Sequence, residues 1–332
     1  MAKGKKREKL EESTVIYFRP EEKLKLISSG CTLLDCAIGK YPLGRVLNIV
    51  GDKSTAKTAL ATEAVTNFLI QHVNGGAFFR ETEAAFLTAY AANLGLPLDK
   101  VDFGDPDKPV TTVEDFARDL GSFVGKRLSS NTPGIYVLDS LDALSDEAEM
   151  ERDIGKGSYG TQKAAKMSEL FRTVTRKLER TQVLLIVVSQ VRDKINVMFG
   201  DKHTRSGGRA LDFYASQIMW LSLVKTLKRT IKGVERPYGI IVRVKIRKNK
   251  ITAPGREIDM EFHFNYGIED FLTSYNWLEQ VKRLPEKYKE MNYEKMSDAE
   301  YRQVTKEIGE EVKKVWTEIE QDFLPKRSKY ES

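Results

Sequence analysis

Short apolar runs that close on polar residues recur along the first two thirds of the chain. Val46-Leu47-Asn48-Ile49-Val50 runs into Gly51, and Ala77-Phe78-Phe79 passes through Arg80-Glu81-Thr82 to Glu83. Ile135-Tyr136-Val137-Leu138 stops at Asp139, and the run from Val183 to Val188 stops at Ser189-Gln190. Apolar runs of this length, rich in β-branched residues, read as strands buried on both faces. Between them the apolar period lengthens to that of helices: Thr58 to Val65, Phe86 to Leu94 before Gly95, Val113 to Leu128, and Gly160 to Arg180. The last of these puts Met167, Leu170, Phe171, Val174 and Leu178 on one face. Strands alternating with helices predict an α/β fold whose central, mostly parallel sheet is flanked by helices.

From Gly239 the period falls to two. Val242, Val244 and Ile246 alternate with Arg243, Lys245 and Arg247, as in a strand with one apolar and one cationic face, closed by Lys248-Asn249-Lys250. Beyond Leu278 the chain is charged and helix-like. Ile308, Val312, Val315, Ile319 and Phe323 form one stripe, weakened by Gly309 near its start. The first residues are polar, with a strand-like piece at Val15-Ile16-Tyr17-Phe18. Three parts are expected: an N-terminal arm (1–28), either a disordered tail or a segment packing on another subunit; a core (29–270); and a small helical C-terminal segment (271–332).

Composition narrows the setting. With 41% hydrophobic and 31% charged residues, the 332-residue chain can bury a real core and keep a soluble surface. No apolar run approaches the roughly 18–20 residues of a membrane span. The basic start, Met1 to Lys9, has no apolar segment after it, unlike a secretory signal. Cys31 and Cys36 lack the companions of a zinc site or disulfide framework, which favours a reducing, cytoplasmic location. His72, His203 and His263 are too scattered for a metal cluster. A net charge of +6 permits nucleic acid as a partner without requiring it.

The candidate chemistry begins at Gly51-Asp52-Lys53-Ser54-Thr55-Ala56-Lys57-Thr58-Ala59. A strand entering a helix through a loop that ends in Lys-Thr is the arrangement of a phosphate cradle. Loop N–H groups face the anion, Lys57 reaches the outer phosphates, and the Thr58 hydroxyl can hold Mg²⁺. The match to G-x-x-x-x-G-K-[ST] fails only at Ala56. An ordinary strand–loop–helix would explain the loop taken alone. Gly51, Glu83, Asp139 and Gln190, however, all fall at carboxyl ends of predicted strands, where open parallel sheets bind ligands. Asp139 has the place of the carboxylate that helps hold Mg²⁺ in phosphate-loop NTPases.

Three further stretches carry a resemblance: Ser189 to Gly200, Ser206 to Ser216, and Arg243 to Pro254. Together with the phosphate loop, and in the same order, they resemble RecA-type homologous recombinases of bacteria and phages, from about Ile27 to Gly267. The resemblance implies a P-loop NTPase core of the RecA type that uses ATP and Mg²⁺. Lys57, Thr58 and Asp139 match its phosphate- and metal-binding residues. Glu83 matches the glutamate that activates water, with Glu81 two residues away, and Gln190 matches the γ-phosphate sensor. Tyr90 and Tyr266 match aromatics flanking the adenine. Lys248 and Lys250 match lysines that reach a neighbouring subunit's ATP, and Phe213 falls on a filament-interface position. Two DNA loops would lie at about 152–162 and 195–209, offering Lys156, Tyr159, Met198, Lys202, Arg205, Gly207, Gly208 and Arg209.

The resemblance also implies partners and an activity. These are single- and double-stranded DNA, copies of the chain in a helical filament, and a single-strand-binding or loading protein. The activity would be DNA-stimulated ATP hydrolysis with homologous pairing and strand exchange. Departures from the family pattern are Ala56 in the cradle, Asp212 where a basic residue is usual, and Leu87 where an acidic residue often touches adenine. Two alternatives stand beside this reading: a hydrolysis-impaired ATP-binding scaffold, favoured by Ala56, and a ring-forming helicase motor on the same core.

Overall fold

The computed structural model describes residues 24–147, 160–193, 203–205 and 208–327. The predicted strand at Val15–Phe18 and most of both predicted DNA loops lie outside them. Strands β3 (Val46–Gly51), β4 (Gly76–Glu81), β6 (Gly134–Asp139) and β7 (Val183–Asp193) stand in the order β3-β7-β6-β4, all parallel. The short β5 (Val101–Asp102) adds a parallel edge beside β4. On the other side β9 (Gln217–Ile231) runs parallel to β3. β10 (Val234–Asn249), β11 (Glu257–His263) and β12 (Gly267–Ile268) extend the sheet antiparallel. Two small pieces complete the strands: a pair, β1 (Leu26–Ile27) with β2 (Tyr41–Pro42), and β8 (His203–Arg205) against the end of β7.

The continuous apolar runs follow from burial on both faces. Leu47 and Ile49 of β3 enter one core, with α1 (Thr32–Ile38) and α2 (Lys57–Gln71), while Val46 and Val50 enter a second, with α4 (Val113–Ser130) and α5 (Gly160–Thr181). Ile135 and Val137 against Tyr136 and Leu138 repeat the division on β6. Met167, Phe171, Val174 and Leu178 of α5 are buried as their stripe predicts, each contributing about 1.5–3 kcal/mol relative to exposure. Asn48, buried within β3, donates from Nδ2 to the Val187 carbonyl (2.8 Å) and to Ser189 Oγ (2.9 Å), which fixes β3 against β7. The predicted helix from Phe86 is shorter, α3 (Thr88–Asn93), and Phe86 instead packs, with its ring tilted, against Phe79 and Phe103.

Past the sheet, α7 (Asp270–Gln280), α8 (Glu286–Lys289) and α9 (Asp298–Asp322) pack into the core that holds α1. The N-terminus of α1 has no cap from its own Cys31. Asp270 supplies one, accepting from Thr32 N (2.6 Å) and Thr32 Oγ1 (2.8 Å). Ile308, Val312 and Val315 of α9 are buried, whereas Phe323, past its last turn, is 83% exposed. Gly309 lies in mid-helix, since α9 starts at a capping box in which Ser297 and Glu300 each bond the other's backbone N–H. Ser297→Ala is expected to cost about 1 kcal/mol. A urea titration would show it as a lower midpoint with an unchanged slope. Among the described residues no helix is long and apolar enough to cross a membrane.

β9 and β10 form a long hairpin of which the sequence pattern predicts only the second strand, from Gly239. Its turn, Lys232-Gly233, has φ of +49° and +79°, the mirror-image turn that suits strand twist. The exposed cations of β10 are not left facing solvent alone. Arg243 is bidentate to Asp259 of β11 (2.7 and 2.8 Å), and Lys245 pairs with Glu257.

Candidate functional site

β3 carries the chain to Gly51, where a β-carbon would lie 2.5 Å from Thr55 Oγ1 and 2.9 Å from the Leu221 carbonyl, so the close approach requires glycine. The loop then turns through Ser54 (φ +57°) and Ala56 (φ +61°), both left-handed. Lys57 opens α2 and donates from Nζ to the Asp52 carbonyl (2.6 Å), which Thr55 Oγ1 also reaches (2.8 Å). Thr58 Oγ1 donates to Asp139 Oδ2 at 2.6 Å, so the two predicted Mg²⁺ residues meet.

The carboxylates at the strand ends are dense. Lys57 is lowered by burial, even though Asp139, Glu83, Asp52 and Asp142 all act to raise it. Burial pushes Asp139 up to about 6, and the negative charges of Glu83 and Glu81 add to this against the Thr58 hydrogen bond and Lys57. A buried acid beside a hydroxyl, with several carboxylates around one lysine, is a place that favours added positive charge. The hard oxygens of Thr58 and Asp139 suit Mg²⁺, which takes one or two protein oxygens and completes its shell with phosphate and water. Among the described residues no group of three or more His, Cys, Asp and Glu side chains could hold a metal by itself.

Glu83 sits two residues past β4, yet its side chain returns to the centre. Its Oε1 accepts from Gln190 Nε2 (2.7 Å) and Ser140 Oγ (2.5 Å). Glu81 points elsewhere, its Oε1 accepting from the backbone of Glu83 (2.8 Å) and Ala85 (3.2 Å). Of the two glutamates, Glu83 faces Gln190 and Glu81 faces local backbone. Gln190 is held through its own N–H by Asp142 Oδ2 (2.6 Å). β7 does not end there but continues to Asp193, its last residues paired with β8.

Ser140, Asp142 and the Thr82 hydroxyl, which bonds both Ser140 N (2.9 Å) and Ser140 O (2.8 Å), are site residues that the sequence reading does not single out. The available signal was Asp139-Ser140-Leu141-Asp142, a second acid one short turn beyond the first.

Other predicted residues lie apart from this centre. Tyr90 is partly buried and Tyr266 is 57% exposed; burial raises both, and Glu63 of α2 raises both further. Leu87 is 70% exposed. Lys248 donates to the carbonyls of Asp212 (2.5 Å) and Phe213 (3.0 Å), at the end of α6 (Gly208–Tyr214), within its own chain. Lys250 and Phe213 are exposed, the latter 78%. Arg205 ends β8, and Gly208 and Arg209 begin α6, placed by their backbone. Lys156, Tyr159, Met198, Lys202 and Gly207 lie outside the described residues. An open groove of about 1270 Å³ beside β5, lined by Phe78, Arg80, Phe103 and Lys126 among others, includes none of Lys57, Thr58, Glu83, Asp139 or Gln190.

Ala56, like Ser54, is under strain, since its β-carbon crowds the following carbonyl in the left-handed region. Ala56→Gly is expected to relieve about 1 kcal/mol, partly offset by the greater freedom of glycine when unbound. A few-fold tighter binding of a fluorescent ATP analogue would register it.

Residues 8–269 match the family model described as the RecA N-terminal domain. The Protein RecA of Streptococcus pyogenes serotype M5 (strain Manfredo) is 34% identical over 252 residues, which are 75% of this chain and 64% of that protein. The Protein RecA of Streptococcus equi subsp. zooepidemicus (strain MGCS10565) gives the same figures. The match thus spans a little under two thirds of the length of these relatives.

Proposed function

The chain belongs to the RecA family, and on that footing we propose that it is a DNA-dependent ATPase that assembles on single-stranded DNA and performs homologous pairing and strand exchange. The observation that carries this reading is the Glu83 carboxylate, held by Gln190 and Ser140 beside Lys57 and the Thr58–Asp139 pair. It is the arrangement needed to direct a water at a terminal phosphate.

The loop N–H groups and the start of α2 bind the phosphates, and Lys57 neutralises charge on them. Mg²⁺, held by Thr58 with Asp139 behind it, would supply further neutralisation there. Glu83 orients the water and takes its proton, acting as general base. Gln190 gives up its bond to Glu83 when it turns to a terminal phosphate oxygen. Its place on β7 (Val183–Asp193), just ahead of the predicted second DNA loop, supports reading it as the sensor of nucleotide state. Lys248 and Lys250 would complete a neighbouring subunit's site, which requires Lys248 to release the end of α6. The arm (1–28) would contact a neighbouring subunit, the core (29–270) would hold ATP and DNA, and the helices of 271–332 would be an appendage packed on α1.

The strain at Ala56 favours one rival, a scaffold that binds ATP without turnover. Phosphate release with and without single-stranded DNA separates the two. DNA-stimulated turnover supports the recombinase, and tight ATP binding without turnover supports the scaffold. Electron microscopy on single-stranded DNA distinguishes helical filaments from the closed rings of a helicase motor.

A further inference from the structure

Where β6 ends, the chain makes a short turn that hydrogen bonds tie to β7, to α5 and to the loop after β4. β6 pairs with β7 no further than Leu138 opposite Val187, so β7 runs on past its end. The chain leaving β6 fills that gap. Leu141–Ala143 form one turn of 3₁₀ helix, and Asp142 on it accepts the amide of Gln190 at 2.6 Å. A side-chain carboxylate thus serves a strand amide that a longer β6 would have met with a carbonyl.

Ser140, which opens the turn, donates from Oγ to Glu83 Oε1 at 2.5 Å. Thr82 Oγ1 holds the Ser140 backbone on both sides, accepting from its N–H (2.9 Å) and donating to its carbonyl (2.8 Å). From α5, Lys163 Nζ donates to the carbonyls of Leu141 (3.3 Å) and Leu144, at the two ends of the turn. Leu141 and Leu144 are buried and already anchor the turn in the core. The polar ties add direction: a shift of the first turn of α5, or of β7, reaches the turn through defined hydrogen bonds.

The places from which those ties come are informative. Lys163 lies in the first turn of α5, immediately beyond the predicted first DNA loop (152–162). Gln190 stands just before Val191–Asp193, which pair with β8 (His203–Arg205), and β8 lies within the predicted second DNA loop. Segments flanking both loops therefore converge on one turn, and the residue that opens it touches Glu83.

We propose that the 140–144 turn is the relay through which single-stranded DNA held at the two loops acts on Glu83, with Lys163 and Asp142 as its positioning residues. DNA that shifts the start of α5 and the end of β7 moves the turn, and Ser140 withdraws from the Glu83 oxygen that it shares with Gln190, leaving that oxygen to a water. The proposal rests on the reading of the chain as a DNA-stimulated ATPase and adds to it the residues that carry the stimulation.

The test measures ATP turnover of the full chain without DNA and with single-stranded oligo(dT) at concentrations that saturate each variant. The ratio of the two rates is the readout. Lys163→Ala is expected to lower that ratio by at least about fivefold, with the KM for ATP within about twofold of wild type. Lys163→Arg, long enough to reach the same carbonyls, should keep most of the ratio. Asp142→Ala should lower it by a similar factor, and Asp142→Asn, whose amide oxygen can accept from Gln190 N, should restore most of it. Lys166→Ala removes the same charge one turn along α5, where Lys166 pairs with Glu114 of α4, and should change the ratio less than about twofold. Thermal melting checks that each variant folds; if Lys163→Ala does not, the Asp142 pair decides.

An unchanged ratio in Lys163→Ala and Asp142→Ala would overturn the proposal. So would a fall of both rates by the same factor, the mark of a structural brace, or an equal loss in Lys166→Ala, which would trace the effect to charge alone. A wild-type chain whose turnover ignores DNA would sink the proposed function and the relay together, whereas a stimulated wild type with unaffected variants sinks the relay alone.

Discussion

Glu83→Gln is expected to lower DNA-stimulated ATP turnover by at least about 100-fold, the scale of a lost general base. Nucleotide affinity should stay within a few fold. The glutamine has the same shape, and its carbonyl oxygen can accept the bonds that Gln190 and Ser140 now give to Oε1. What it lacks is the capacity to take a proton from water. Steady-state phosphate release measures the loss, and equilibrium binding of a fluorescent ATP analogue checks that the site still forms. Glu81→Gln is the matched control. Because Glu81 accepts only local backbone N–H groups, its substitution should leave most of the turnover intact. Equal losses at the two positions would contradict the assignment of the base to Glu83.

The second large effect concerns stability. Glu63, on the face of α2 away from the phosphates, accepts from Ile268 N at 2.6 Å. Burial pushes its carboxyl up to about 7, with the negative charge of Asp270 adding to the shift against that hydrogen bond. A folded-state value above the unfolded value of 4.5 means that the folded protein holds the proton more tightly. Its contribution to stability is full below about pH 4.5 and falls away as the pH rises through about 7. Above pH 7 a charge remains in a site that disfavours it, at a cost of up to about 3 kcal/mol. Glu63→Gln keeps the acceptor for Ile268 N and removes the charge. It should raise the melting temperature by several degrees at pH 8 and change it little at pH 5. Equal shifts at the two pH values would locate the effect in packing instead.

Much of this molecule is legible in its sequence where both sides of an element are buried. β3, β6 and β7 up to Ser189 are buried on both faces, so each reads as an apolar run, broken before the site only by Asn48, while β4 keeps Phe78 half-buried beside an open groove. The cradle, Glu83, Asp139 and Gln190 follow from that rule. The hairpin does not, for two reasons. β9 carries an extra residue near Val224, where its register to β10 shifts, and this breaks the alternation. From Lys228 to Pro237 the hairpin is solvated on both faces, so no apolar stripe marks it. Asp142 is hidden differently. It stands in a single tight turn, Leu141–Ala143, and its role depends on β7 being the next strand over, a neighbour that local pattern cannot reveal. For α9 the stripe was visible but the start was not, and Ser297-x-x-Glu300 was the signal that would have placed it.

The cap on α1 has a consequence for how the chain is made. Thr32 leaves the ribosome well before Asp270, which holds its amide and hydroxyl and lies 238 residues later. Leu33, Leu34 and Ala37 share a core with Ile308, Val312 and Val315. A nascent chain must therefore carry the apolar face of α1 without its cover until residues 270–315 have been made. Contacts this far apart in sequence slow folding and prolong the exposure of sticky surface. Chains cut short near residue 270 would keep every residue of the phosphate cradle and still present that uncovered helix to one another, which makes aggregation, rather than loss of chemistry, the expected fate of truncated products.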